Sequence, residues 1–111
     1  MSPEIEELFD DANGDMAIGE LDSAVAKYRR CVDGDPDFAD AHHALALSLS
    51  KLGRFEESIL PALRNAQLRP NEELAWSTLS LCYMKNHQIP EAEAARAKAR
   101  ILSWGGKIRK V

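Results

Sequence analysis

The sequence predicts an all-α chain, a short α-solenoid of paired helices, and three observations lead there. Apolar residues recur at helical spacing in six successive segments. No segment alternates apolar and polar residues with period two, as a half-buried strand would. The chain also repeats itself: Asp35-Pro36 and Arg69-Pro70 lie 34 residues apart. On that alignment Ala24-Val25, Ser58-Ile59 and Ala92-Glu93 share one phase, and Gly19, Gly53 and His87 share another.

The first helix is expected over Pro3 to Ile18, with proline suited to a first turn, and Gly19 ends it. Leu21 to Asp33 follows, with Ala24, Val25, Tyr28 and Val32 on one stripe. Gly34-Asp35-Pro36 stops it, because the residue before proline avoids the helical region. The third helix spans Phe38 to Leu52 and closes on Gly53. The fourth runs from Phe55 to Leu68 and contains Pro61, which removes the bond to the Glu57 carbonyl and is expected to kink it. The fifth covers Asn71 to Asn86 with Asn71 as N-cap, and the sixth Pro90 to Ser103. Trp104 is expected to fold back over the end of the sixth helix, ahead of a short basic tail.

A chain of 111 residues with 45% apolar and 29% charged residues suits one soluble domain with a modest core. The net charge of −4 argues against a general nucleic-acid binder. There is no apolar run of membrane-spanning length, and the first residues are acidic, unlike a signal peptide. Cys31 and Cys82 have no metal or redox spacing and read as small buried residues, which points to a reduced, cytoplasmic compartment. Charge is segregated: −9 over residues 1–40, −1 over 41–93 and +6 over 94–111.

The tetratricopeptide repeat pattern, which this 34-residue period resembles, puts a large residue early in the first helix, then Leu, a small residue and Tyr, with small residues on the second helix before a closing proline. Trp76, Leu79, Ser80, Tyr83, Ala92 and Ala99 fit this in the third unit; His42, Leu45, Ala46, Leu49, Ser58 and Asn65 fit more loosely in the second. In the first, Leu8, Ala12, Ala24, Tyr28 and Cys31 fit, while Asp11 and Asp15 stand where Leu and Tyr belong. From about Ile5 to Trp104 the chain resembles the tetratricopeptide repeat (TPR) family. The resemblance implies a single domain over residues 1–104 with repeats at about 5–38, 39–72 and 73–104, wound into a right-handed superhelix, and a basic tail over 105–111. His42 would pack in place of the usual aromatic.

The departures make sense at the ends of a stack. On the second helices, Val25, Tyr28 and Val32, then Ile59, Ala62 and Ala66, become Glu93, Arg96 and Arg100. On the first helices, Ala41, Leu45, Ser48 and Leu49 correspond to Glu7, Asp11, Gly14 and Asp15. Both terminal faces are therefore expected to be polar, as a stack of three that stops here would need.

In TPR proteins the first helices line a concave groove that holds a partner peptide. The matching stripe here includes Phe9, Asn13, His43, Leu47, Lys51, Leu81, Met84 and Lys85, with Met16, Asp40, Ser50, Leu74 and Ser77 beside them. Leucine and methionine offer an adaptable apolar floor, and Lys51 and Lys85, one period apart, are suited to a carboxylate. The expected function is a protein–protein interaction adaptor binding a peptide or helix of a partner in this groove. The basic residues with which some family members clamp an acidic C-terminus are replaced by Phe9, Asp10, His43, Ala44, Ser77 and Thr78, so that specific activity is not implied.

A second reading is assembly, copies associating weakly head to tail through the acidic and basic end faces, in a monomer or weak homo-oligomer. A third is calcium binding through Asp11, Asn13 and Asp15, whose spacing is that of an EF-hand loop. It is disfavoured because Met16 stands where the turn needs glycine and Asp22 replaces the bidentate glutamate. Adjacent His42 and His43 point about 100° apart on a helix and cannot readily share a metal. No nucleophile–base arrangement or phosphate loop is present, so no enzyme, cofactor, nucleic-acid or membrane partner is expected.

Overall fold

The computed structural model describes residues 1–107, which form six helices: α1 (Pro3–Ala17), α2 (Leu21–Gly34), α3 (Ala39–Lys51), α4 (Phe55–Leu68), α5 (Glu73–Lys85) and α6 (Ile89–Ser103). Each packs chiefly on the helix before and after it in sequence, and α3 also touches α5 directly. The result is an elongated stack of 37 × 29 × 20 Å in which the odd-numbered helices lie side by side. No helix among the described residues is long and apolar enough to cross a membrane.

The turns show the period as plainly as the helices do. Gly19, Gly53 and His87, one period apart, all adopt the left-handed conformation, at φ +83°, +78° and +59°. Glycine takes it freely; His87 does so at a steric cost, held by the bond from its N–H to the Met84 carbonyl. Between pairs, the Phe38 N–H donates to the Asp35 carbonyl, and one period later the Glu72 N–H donates to the Arg69 carbonyl. This turn corrects two expected boundaries. It consumes Pro70 and Asn71, so α5 starts at Glu73 with Glu72 as N-cap, and Phe38 caps α3 rather than lying inside it. Gly34 is the last residue of α2 rather than its breaker, and a Cβ there would come within 2.9 Å of the Ile5 side chain.

Small residues let the helices of a pair touch. Ala12 and Ala24, Ala46 and Ser58, and Ala92 are fully buried, and the Ser80 hydroxyl donates to the Ala92 carbonyl at 2.7 Å across the α5–α6 contact. Between pairs the larger groups fill the space: Tyr28, Leu45 and Leu49 at the first junction, Trp76 and Leu79 at the second. Cys31 and Cys82 are buried free thiols, and burial pushes both up from the ordinary thiol range. Pro61 is buried within a single continuous α4. The faces expected at the ends of the stack differ as the sequence suggests. Val25, Ala62, Ala66, Leu45 and Leu79 are buried, whereas Glu7, Asp11, Glu93, Arg96 and Arg100 are exposed.

Two corrections concern the first and last turns. Asp11, Asn13 and Asp15 lie within the uninterrupted α1, where the backbone cannot coil around a cation; the Asp15 carboxylate instead takes Lys27 at 2.8 Å and the Ser23 hydroxyl at 2.7 Å. Among the described residues no cluster of three His, Cys, Asp or Glu side chains suits a metal. Trp104 does not fold back: it caps α6 with 76% of its surface exposed, while Gly105, at φ +84°, and Gly106 close the helix on the Leu102 and Ile101 carbonyls. The remainder of the expected basic tail, 108–111, lies outside the described residues.

Leu79, only 1% exposed in the core shared by α4, α5 and α6, should cost about 2–5 kcal/mol when replaced by alanine, as read from chemical denaturation. Glu57 lies on the surface between Arg54 (2.6 Å) and Arg29 of the preceding pair (3.0 Å), and their hydrogen bonds bring its carboxyl down from 4.5 to about 2. The Glu57 carboxyl should therefore titrate near 2 by NMR, and Arg54→Ala should move it back toward 4.5. With the folded value depressed, this pair's contribution is present above 4.5 and is lost as pH falls toward 2.

Candidate functional site

The face shared by α1, α3 and α5 carries the residues expected to meet a partner, and the structure divides them into three groups.

On α1, Phe9 and Met16 are half-buried and Asn13 is exposed. The Phe9 ring is half-buried against Phe38 (centroids 4.7 Å apart) and Tyr28 (5.8 Å), both tilted contacts. The Asn13 amide oxygen accepts the Tyr28 hydroxyl at 2.5 Å, and Met16 Sδ lies 3.5 Å from the Ser48 hydroxyl. The contacts to Tyr28 close the first pair, and those to Phe38 and Ser48 hold it to the second.

On α3, Leu47 is half-buried and Lys51 exposed. His43 is half-buried and reaches across to α4, its Nδ1 lying 3.3 Å from Asn65 Nδ2. With the amide nitrogen as donor, the imidazole is neutral at Nδ1 and accepts. Asn65 itself is 2% exposed, and its Oδ1 is buried without a hydrogen-bond partner. Around them Arg69 pairs with Asp40 at 2.6 Å and with Glu72 at 3.6 Å. Burial lowers the His43 pKa below 6.5 and Arg69 adds to this, with Asp40 and Glu72 pulling the other way. Asn65, Arg69 and Glu72 were not among the expected site residues. The signal for Asn65 was available: a long amide stands where the repeat pattern wants a small residue. Nothing in the pattern marks Arg69 or Glu72, which reach this cluster only because the α4–α5 turn folds beside α3.

On α5, Leu81 and Met84 are exposed apolar side chains, at 49% and 40%, and Lys85 is exposed beside them. Leu81 and Met84, with Ser77, Ser80 and Arg96 of α6, line a hollow of about 370 Å³. The Arg96 guanidinium is thus added to a floor that sequence reasoning drew from α5 alone. The structure brings Leu81 and Met84 together in one hollow and His43 into a separate polar cluster; it leaves Phe9 half-buried against Tyr28 and Phe38, and Asn13 exposed with its amide oxygen taken by Tyr28.

The His43 geometry has a testable consequence. Its folded value is lowered, so the unfolded chain binds more protons below pH 6.5. Stability should fall as pH drops through that value, and His43→Gln, whose amide oxygen can still accept from Asn65, should flatten the dependence. Urea midpoints for both proteins at pH 7.5 and 5.5 make the comparison.

A family model described as TPR repeat matches residues 13–53, from within α1 through α3 and into the following turn. No curated protein matches the sequence. Among solved structures, the crystal structure of MamA is similar with a TM-score of 0.84 and 20% identity over 91% of this chain. This chain spans 59% of that one. The Sgt2 TPR domain from Aspergillus fumigatus gives 0.83 and 23%, covering 96% of this chain and 71% of its own. The first TPR of Spaghetti (RPAP3), solved bound to the HSP90 peptide SRMEEVD, gives 0.85 and 18%, covering 96% and 84%. The period, the six helices in three pairs and the repeat model over residues 13–53 agree, and the chain has the fold of tetratricopeptide repeat proteins.

Proposed function

We propose that this protein is an interaction module that holds a peptide or a helix of a partner protein on the face formed by α3 and α5. The observation that carries the reading is the pair of exposed apolar side chains, Leu81 and Met84, in a hollow rimmed by Arg96. Exposed leucine and methionine grouped on one helix face suit an apolar anchor of a partner, and methionine adapts its shape to it. Leu47 extends the apolar strip on α3, while Lys51, Lys85 and Arg96 supply positive charge for a carboxylate nearby. His43, flanked by Asp40, adds a hydrogen-bonding group. Phe9 and Asn13 serve this face indirectly, by fixing α1 against α2 and the turn that follows it.

That the similar TPR of Spaghetti (RPAP3) was solved with a peptide supports the idea that a scaffold of this size can take one. The ligand chemistry differs, because the early first-helix positions here lack a cluster of Lys and Arg. A partner segment with one or two large apolar side chains and an acidic group fits better than a strongly acidic tail.

Pull-down from native cell extract with the wild type and with Leu81→Glu tests the reading. The substitution lies at an exposed position and should leave the fold intact while weakening capture of a specific partner at least tenfold. If the variant retains every partner, the α3–α5 face is not the binding face.

A further inference from the structure

The two junctions between helix pairs follow one plan but are filled differently. At the second junction, the Trp76 indole N–H donates to the Pro70 carbonyl at 2.9 Å. Its ring is buried in the core with Ala66, Leu79 and Ala95, and Lys98 Nζ lies 4.3 Å from the ring centroid. One period earlier, His42 Nε2 lies 2.7 Å from the Pro36 carbonyl. Val32, Leu45, Pro61 and Arg64 there stand where Ala66, Leu79, Ala95 and Lys98 stand around the indole. An imidazole makes the same hydrogen bond but lacks the six-membered ring. A cavity of about 300 Å³ results, with apolar walls and with Leu60, 73% exposed, on its lining.

The same chain presents an exposed indole. Trp104, 76% exposed, stands at the end of α6 between Arg100 and Lys107, both exposed. It cannot fill the cavity of its own chain as folded, since α6 packs on α5, whereas the cavity lies between α2, α3 and α4. Charge around the two features is opposite: Asp33 and Asp37 are exposed, and Asp35 half-buried, where α2 turns into α3 beside the cavity.

We propose that the cavity beside His42 receives Trp104 of a second copy of this chain, with that copy's Arg100 and Lys107 facing Asp33, Asp35 and Asp37. Arg64, now paired with Asp37 at 2.7 Å, is placed to cover the incoming ring as Lys98 covers Trp76. The contact is heterologous: each copy donates one tryptophan and offers one cavity. It differs in location from the α3–α5 face, so either reading can fail without the other.

Two variants separate the halves of the contact. His42→Trp fills the cavity from within, following the pattern of Trp76, and Trp104→Ala removes the plug at an exposed position. In sedimentation at low salt and rising concentration, the wild type should associate, and each variant alone should associate at least tenfold more weakly. An equimolar mixture should form heterodimers, because one variant keeps the tryptophan and the other keeps the cavity. Should His42→Trp fail to fold by circular dichroism, Leu60→Glu blocks the cavity without entering the core and takes its place. A wild type that stays monomeric throughout, variants that associate as it does, or a mixture with no heterodimer each overturns the proposal. A monomeric wild type that binds a basic tryptophan peptide, while His42→Trp does not, would assign the cavity to another protein's aromatic side chain instead of a second copy.

Discussion

The constraint on which this structure depends is that no helix pair can bury its own apolar surface. Each pair closes on small residues, Ala12 with Ala24 and Ala46 with Ser58, and that close approach leaves the large side chains pointing away from the pair. Tyr28, Leu45 and Leu49 pack together where the first two pairs meet, and Ala66, Trp76 and Leu79 where the second and third do. Stability is thereby passed along the chain through nearest neighbours, and the end surfaces are the places where the pattern must change. Acidic side chains on α1 and arginines on α6 are exposed, and charge in water costs little there.

The stack also explains why its first face contributes less to binding than the sequence implies. The α1 side chains nearest the shared face are engaged by the chain's own aromatic groups: Phe9 packs on Tyr28 and Phe38, and the exposed Asn13 accepts the Tyr28 hydroxyl. A first pair whose Leu and Tyr positions have become Asp11 and Asp15 has fewer apolar groups with which to anchor itself, and it recruits these instead. The apolar surface left for a partner moves toward α5, where Leu81 and Met84 are surplus to the core. At the middle pair a polar cluster of His43, Asn65, Arg69, Asp40 and Glu72 gives the face a different character.

Repetition is a source of comparison within one molecule. His42 and Trp76 make the same bond to a proline carbonyl, the smaller ring stands in the first of the two junctions, and a cavity lies beside it. Likewise Gly19, Gly53 and His87 share one backbone conformation although only two are glycine, because the turn geometry is imposed by the helices on either side. Such equivalences separate what the scaffold requires from what this chain does with it.

Helix number, order and pairing were legible in the sequence by itself, because a 34-residue period and helical apolar spacing are local properties that packing reinforces. The burial of the junction residues and the exposure of the terminal charges were legible for the same reason, since each could be compared with its counterpart one period away. Boundaries at Phe38 and Asn71 were not, because a hydrogen-bonded turn after each proline outweighs the capping preference of a single side chain. Nor was the outward position of Trp104, which follows from Gly105 and Gly106 closing the helix on its own carbonyls. Only the tertiary structure decided that Phe9 packs inward, that Asn13 meets Tyr28, that Asn65 and Arg69 meet His43, and that Arg96 joins Leu81 and Met84. Those contacts cross between helices, and the distance between two side chains on different helices is set by packing, which no stretch of sequence contains.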